Sequence, residues 1–147
     1  MRALVDTNVL IGFLLSPGEG GAVRSIFRAF LNDRFTLLLP QRLLNELIDT
    51  VSSKPRLTRR ITAEQLHRFT TLLVQSAENI EEIDTLIPRV TRDPDDDYVI
   101  AYALFGRADY LVTGDKDLLI LRGLITGLEI VTPLQFSEIL APHDLRP

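Results

Sequence analysis

The chain alternates short apolar runs with longer segments in which apolar residues recur every third or fourth position. Ala3 to Val5 is a continuous apolar run of strand length. Val9, Ile11 and Leu14 then repeat at helical intervals until Ser16-Pro17-Gly18 stops them. After the Gly18-Glu19-Gly20-Gly21 turn, Val23, Ile26, Phe27, Phe30 and Leu31 mark one face of a second helix. Phe35 to Leu39 reads as a strand. Pro40 leads into a helix whose stripe is Leu43, Leu44, Leu47, Ile48 and Val51. Ser52 to Arg60 is a basic break in the pattern, and Thr62 to Gln75 restores a helix. Thr62-Ala63-Glu64-Gln65 has the form of a capping box, in which two side chains satisfy unpaired backbone N–H groups reciprocally. A weak strand is expected near Ile80 to Ile83.

Asp93-Pro94 opens another helix, with proline at the first turn, where its missing N–H costs nothing. Val99, Ile100, Ala103 and Leu104 supply its core stripe and Gly106 ends it. Tyr110 to Thr113 is a strand meeting a turn at Gly114, and Asp115 starts a short helix through Leu118, Leu119 and Leu121. Leu128 to Val131 is the last strand and Pro133 to Leu140 the last helix, leaving 141–147 as a flexible tail. No internal repeat, low-complexity tract or linker interrupts the series. Apolar strands alternating with helices predict one α/β domain over residues 1–140, its parallel sheet covered on both faces.

A chain of 147 residues with 46% hydrophobic and 24% charged positions can bury about 70% of its unfolded surface in a single core. The net charge of −4 argues against a generic polyanion binder, so any contact with nucleic acid needs a local patch or a metal ion. Without cysteine there are no disulfides, thiolate zinc sites or cysteine nucleophiles, and a reducing compartment suits the chain. No signal-like series opens the sequence and no apolar run reaches membrane-spanning length. The expectation is a soluble cytoplasmic protein with no membrane association.

Carboxylates recur where strands end or helices begin: Asp6, Glu46, the Asp93-Pro94-Asp95-Asp96-Asp97 cluster, and Asp115 with Asp117. In a parallel α/β sheet those ends share one edge, and ligands bind there. Each acid also has a simpler explanation. Asp6 and Asp115 suit helix N-caps, and Glu46 flanks its apolar stripe like a solvated side chain. Acids in a first turn gain about 0.3–1 kcal/mol each from the helix dipole. Four acids within five residues repel one another, however, by roughly 4 kcal/mol for a pair 4 Å apart at an effective dielectric of 20. A bound cation removes that penalty. All-oxygen ligation suits Mg²⁺ or Mn²⁺, which polarise phosphoryl oxygens and acidify bound water. The reading from residues alone is a divalent-metal site that hydrolyses a phosphodiester.

His67 and His143 stand singly, and no phosphate-cradling glycine loop is present. Lys54-Pro55-Arg56-Leu57-Thr58-Arg59-Arg60 is a dense basic run. It reads either as a solvated connection or, through Lys54, Arg56, Arg59 and Arg60, as a guide for an RNA backbone.

With these residues in view, the chain resembles a PIN domain, specifically the VapC-like toxins of bacterial toxin–antitoxin systems. The resemblance covers nearly the whole length. It is carried by Val5-Asp6-Thr7-Asn8-Val9-Leu10, by Leu43 to Leu47 around Glu46, and by Arg92-Asp93-Pro94-Asp95-Asp96-Asp97 running into Ala101 to Ala103. Its last carrier is Ala108 to Leu119, which contains Thr113-Gly114-Asp115-Lys116-Asp117. It implies a three-layer α/β/α sandwich with a parallel sheet of about five strands, and Mg²⁺- or Mn²⁺-dependent endoribonuclease activity. The family's first acid falls on Asp6, the second on Glu46 and the fourth on Asp115. The third is Asp96 if aligned on Ala103, or Asp97 if counted back from Thr113. Asn8 and Thr113 match supporting polar positions, and Asp117 is a further ligand or water-holding candidate. A toxin role implies an RNA substrate, a small antitoxin partner and a homodimer.

Two other functions fit parts of the pattern. A haloacid-dehalogenase-like phosphatase also carries an Asp after its first strand, but it needs a second Asp two positions on, where this chain has Asn8. A non-catalytic RNA- or partner-binding PIN domain would require a decayed site, whereas Glu46, Asp96 and Asp115 are all retained.

Overall fold

A computed structural model of the chain describes residues 1–16, 21–83 and 94–141. Asp93, His143, most of the turn after Ser16 and all but the first residue of the expected tail lie outside them. The strands are β1 (Arg2–Val5), β2 (Thr36–Pro40), β3 (Glu78–Ile80), β4 (Tyr110–Val112) and β5 (Glu129–Val131). The helices are α1 (Thr7–Leu15), α2 (Ala22–Leu31), α3 (Gln41–Ser53), α4 (Pro55–Thr58), α5 (Ala63–Ser76), α6 (Pro94–Phe105), α7 (Lys116–Leu119) and α8 (Pro133–Leu140).

All strand pairings are parallel, in the order β3-β2-β1-β4-β5. The central strand explains itself. Ala3, Leu4 and Val5 are no more than 2% exposed because helices cover both faces, and Leu4 registers with Leu38 on one side and Leu111 on the other. The fold is the expected three-layer α/β/α sandwich with a five-stranded parallel sheet. Helices α1, α3 and α5 pack on one another, and α2 packs on α8. Phe13 stacks on Phe27 at 4.2 Å between ring centroids, while Phe35 meets Phe136 edge-on at 5.1 Å. Full burial of leucines such as Leu4, Leu47 and Leu111 contributes about 1.5–3 kcal/mol each.

The chain runs from β1 outward to β2 and β3, then returns to place β4 against the other side of β1. That reversal makes β1 and β4 a topological switch point. Beyond the carboxyl ends of two such strands the connecting helices diverge and leave a crevice. Asp6 follows β1 directly, and Thr113 to Asp115 follow β4.

Several elements differ in detail from the sequence pattern. The weak third strand lies over Glu78–Ile80, two residues earlier than expected, because β3 is an edge strand whose register follows β2 and needs little apolar content. The basic break contains the short helix α4, started by Pro55 and anchored by Leu57 at 1% exposure. Four residues are too few to show a helical period. Leu31 and Leu104, assigned to core stripes, are exposed near the ends of α2 and α6. The expected capping box at Thr62 with Gln65 is formed, and a second, not anticipated from the sequence, joins Thr132 to Gln135.

Candidate active site

Asp6 leaves β1 while still tied to the sheet, its backbone N–H donating to Val112 O at 2.9 Å. Its Oδ1 accepts from Thr7 N–H at 2.8 Å, so the carboxylate does cap α1. Its Oδ2 accepts from Thr113 Oγ1 at 2.8 Å. Capping and a place in a carboxylate pocket are therefore not alternatives here; one side chain does both. Burial pushes the Asp6 carboxyl above its ordinary range. The hydrogen bonds from Thr113 and Thr7 oppose that, and the charges of Glu46 and Asp115 add to it.

Thr113 is fully buried and its hydroxyl works in both directions. It donates to Asp6 and accepts from Asp115 N–H at 3.0 Å. Asp115 in turn caps α7, its Oδ1 accepting from Asp117 N–H at 2.8 Å. Asp96, in the first turn of α6, completes a cluster in which ligand oxygens of Asp96, Asp115 and Asp117 all lie within 4.8 Å of one another. Unit charges at such separations repel by about 3 kcal/mol at an effective dielectric of 20. Asp97 is not in that cluster and is 1% exposed. Successive helical residues point about 100° apart, so Asp96 and Asp97 cannot share one direction.

Glu46 sits on the flank of α3, half-buried, beside the buried stripe of Leu43, Leu44 and Leu47. Its Oε2 accepts a hydrogen bond from the hydroxyl of Tyr98 on α6. Tyr98 is 2% exposed, and the Arg42 guanidinium lies 4.2 Å from its ring centroid. Burial, the bond to Glu46 and the charges of Glu46 and Asp6 push the phenol far above its ordinary range, against a smaller opposing effect of Arg42. Tyr98 thus keeps its proton and serves as a donor. Sequence reasoning missed both residues. The available signals were a tyrosine directly after an acidic first turn, since a buried hydroxyl needs a partner, and an arginine one turn before Glu46 on the same helix face.

The remaining expected positions fall outside this group. Asn8 is exposed in the first turn of α1. Lys54, Arg56, Arg59 and Arg60 are exposed around α4, with Arg60 Nη2 donating to Leu15 O at the last turn of α1. Lys54, the C-cap of α3, lies eight positions after Glu46, about 12 Å by helical rise. The basic run therefore begins two turns beyond Glu46. His67 is exposed on α5.

A set of carboxylates with oxygens this close offers only hard oxygen donors, which fits a Mg²⁺- or Mn²⁺-type ion and not a soft one. The deep pair of Asp6 and Glu46 meets the outer cluster through Asp115, whose charge acts on Asp6. No described helix is long and apolar enough to cross a membrane.

A family model described as PIN domain matches residues 2–117. The structure is similar to that of VapBC2 from Rickettsia felis, solved bound to a DNA fragment from its promoter. The TM-score is 0.60 at 15% identity, over 90% of this chain and 98% of that one. It is also similar to PAE2754 from Pyrobaculum aerophilum, with a TM-score of 0.57 at 18% identity, over 95% of this chain and 89% of that one. At these identities the likeness is one of fold. No curated protein matches the sequence.

Proposed function

This chain belongs to the PIN-domain family, and from that premise we propose that it is a divalent-metal-dependent endoribonuclease, the VapC-like toxin of a toxin–antitoxin pair. One observation carries the reading. Acids from separate segments, Asp6, Glu46, Asp96, Asp115 and Asp117, converge beyond the carboxyl ends of β1 and β4, the edge at which parallel α/β sheets bind ligands.

Asp6, Asp96 and Asp115, joined by Asp117, would hold Mg²⁺ or Mn²⁺ directly or through water. Such an ion supplies charge to polarise the scissile phosphate and acidify a water. Asp6 is kept in place by Thr7 and Thr113, so its carboxylate enters the pocket without a choice of rotamers. Glu46, one helix away, would orient the attacking water or accept its proton. Asp97, buried beside Asp96, is the alternative third acid and would act from within α6. The basic run from Lys54 to Arg60 would meet the RNA backbone away from the point of cleavage. A small antitoxin partner belongs to the same reading, supported by the fold shared with the VapBC2 structure, and a homodimer is proposed with it.

The test is Mn²⁺-dependent cleavage of single-stranded RNA by the wild type and by Asp6→Asn. Cleavage by the wild type and its loss in the variant are expected. Equal activity in both overturns the mechanism, and RNA binding without cleavage or Mn²⁺-induced stabilisation would favour a binding module instead.

A further inference from the structure

The carboxylate reading leaves one buried polar group of the pocket without a task. Tyr98 lies near the start of α6 with its hydroxyl on Glu46 Oε2 and its ring beneath the Arg42 guanidinium. Arg42 and Glu46 are four residues apart on α3, so both reach the same phenol from one helix face. The Tyr102 ring meets Tyr98 edge-on at 6.1 Å, and Tyr102 in turn accepts the Ile83 N–H at its hydroxyl. The phenol is thus held on more than one side, whereas Glu46 is a half-buried side chain with three rotatable bonds on a helix flank. Left to itself, such a carboxylate would sample several rotamers, only some of them directed at a bound water.

We propose that Tyr98 is a positioning residue, which fixes Glu46 by donating to Oε2 and so commits Oε1 to the attacking water. Arg42 supports the arrangement by lying over the ring. The role rests on the nuclease reading, because it acts through the residue assigned to the water. It goes beyond that reading in tying α6, the helix of Asp96, to α3, the helix of Glu46, through one hydrogen bond. The outer acids and the water-orienting acid are then set relative to each other by a side chain that touches neither metal nor substrate. A misplacement of a reacting group by about 1 Å is enough to cost 10²-fold in rate.

A merely structural tyrosine would satisfy the same bond, so the test must separate the two. Tyr98→Phe keeps the ring and its packing against Arg42 and removes only the hydroxyl. Mn²⁺-dependent RNA cleavage is measured for wild type, Tyr98→Phe, Glu46→Gln and the double variant, below every variant's melting transition. Melting is followed separately with and without Mn²⁺. Tyr98→Phe is expected to slow cleavage about 10- to 100-fold while retaining the Mn²⁺-induced rise in melting temperature. In the Glu46→Gln background the same change should cost nothing further, because its effect passes through the missing carboxylate. Cleavage at the wild-type rate by Tyr98→Phe overturns the proposal. So does an equal loss in both backgrounds, which is what a disturbance of the site that does not pass through Glu46 produces. A wild type that cleaves no RNA overturns the nuclease reading itself and Tyr98's role with it, and is distinguished by appearing before any substitution is made.

Discussion

Thr113 Oγ1 donates to Asp6 Oδ2 across 2.8 Å of space and 107 positions of sequence. The same hydroxyl accepts the backbone N–H of Asp115 at 3.0 Å. One buried side chain therefore joins the acid after β1 to the acid after β4 at the switch point of the sheet. Thr113→Val keeps the shape and removes both bonds. We expect Mn²⁺ affinity and cleavage to fall about 10- to 100-fold, as for loss of a group that orients a ligand. Leaving buried polar groups unpaired should also destabilise the fold by about 1–3 kcal/mol. Mn²⁺ titration and urea unfolding measure the two effects, and unchanged Mn²⁺ affinity would contradict the account of Thr113.

Asp6 makes stability depend on pH with a definite sign. Its carboxyl lies above the ordinary range, chiefly through burial. The folded state therefore binds the proton more tightly than the unfolded chain. That contribution is fully present below the unfolded pKa and is lost as pH rises through the raised folded value. In the absence of divalent ions, Asp6→Asn should match or exceed the wild type in stability at neutral pH, with the difference vanishing as pH falls below the ordinary carboxylate range. Added Mn²⁺ should stabilise the wild type far more than the variant. Urea titrations across the acid range, with and without Mn²⁺, give both results; a variant less stable at neutral pH and equally helped by Mn²⁺ would refute the assignment.

The basic run around α4 is separated from Glu46 by two turns of α3. Substituting Arg56 and Arg59 with alanine should weaken single-stranded RNA binding and lower the dependence of log Kd on log salt by about 0.7 for each phosphate no longer neutralised. Cleavage at saturating RNA should stay near the wild-type rate. Binding by fluorescence anisotropy at several salt concentrations decides the point. An unchanged slope would leave the run as a solvated connection.

Gly106 follows α6 where an added side chain would be tightly packed. A Cβ there would stand 3.0 Å from Leu38 Cδ1 and 3.2 Å from Tyr102 O, the latter a backbone carbonyl of α6. Gly106→Ala is expected to destabilise by about 1–3 kcal/mol through overpacking. Mn²⁺ affinity should hold, because the acids lie at the opposite end of α6. Thermal unfolding checks this, and a gain in stability of the ordinary glycine-to-alanine kind would overturn the packing argument.

Most of the architecture was legible in the linear pattern because the apolar periods are local properties of the chain. Ala3 to Val5, the stripe around Leu47 and the helix ended by Gly106 each declare their type within a few residues. Elements too short or too exposed to carry a period were not legible in this way. The helix at Pro55–Thr58 and the edge strand at Glu78–Ile80 take their form from Leu57 burying beneath a turn and from register with β2.

The acids themselves were readable for the same local reason: Asp6, Asp96, Asp97 and Asp115 each mark the end of a strand or the start of a helix. What only the tertiary structure decided is which of them meet. The strand order places β4 beside β1, which brings Thr113 onto Asp6, and the setting of α6 puts Asp96 with Asp115 and Asp117 while burying Asp97. Tyr98 acquired its relation to Glu46 and Arg42 only through the approach of α6 to α3. A sequence period specifies the face a residue occupies on its own element. Hydrogen bonds between elements depend on how those faces are packed, and that is set by the sheet as a whole.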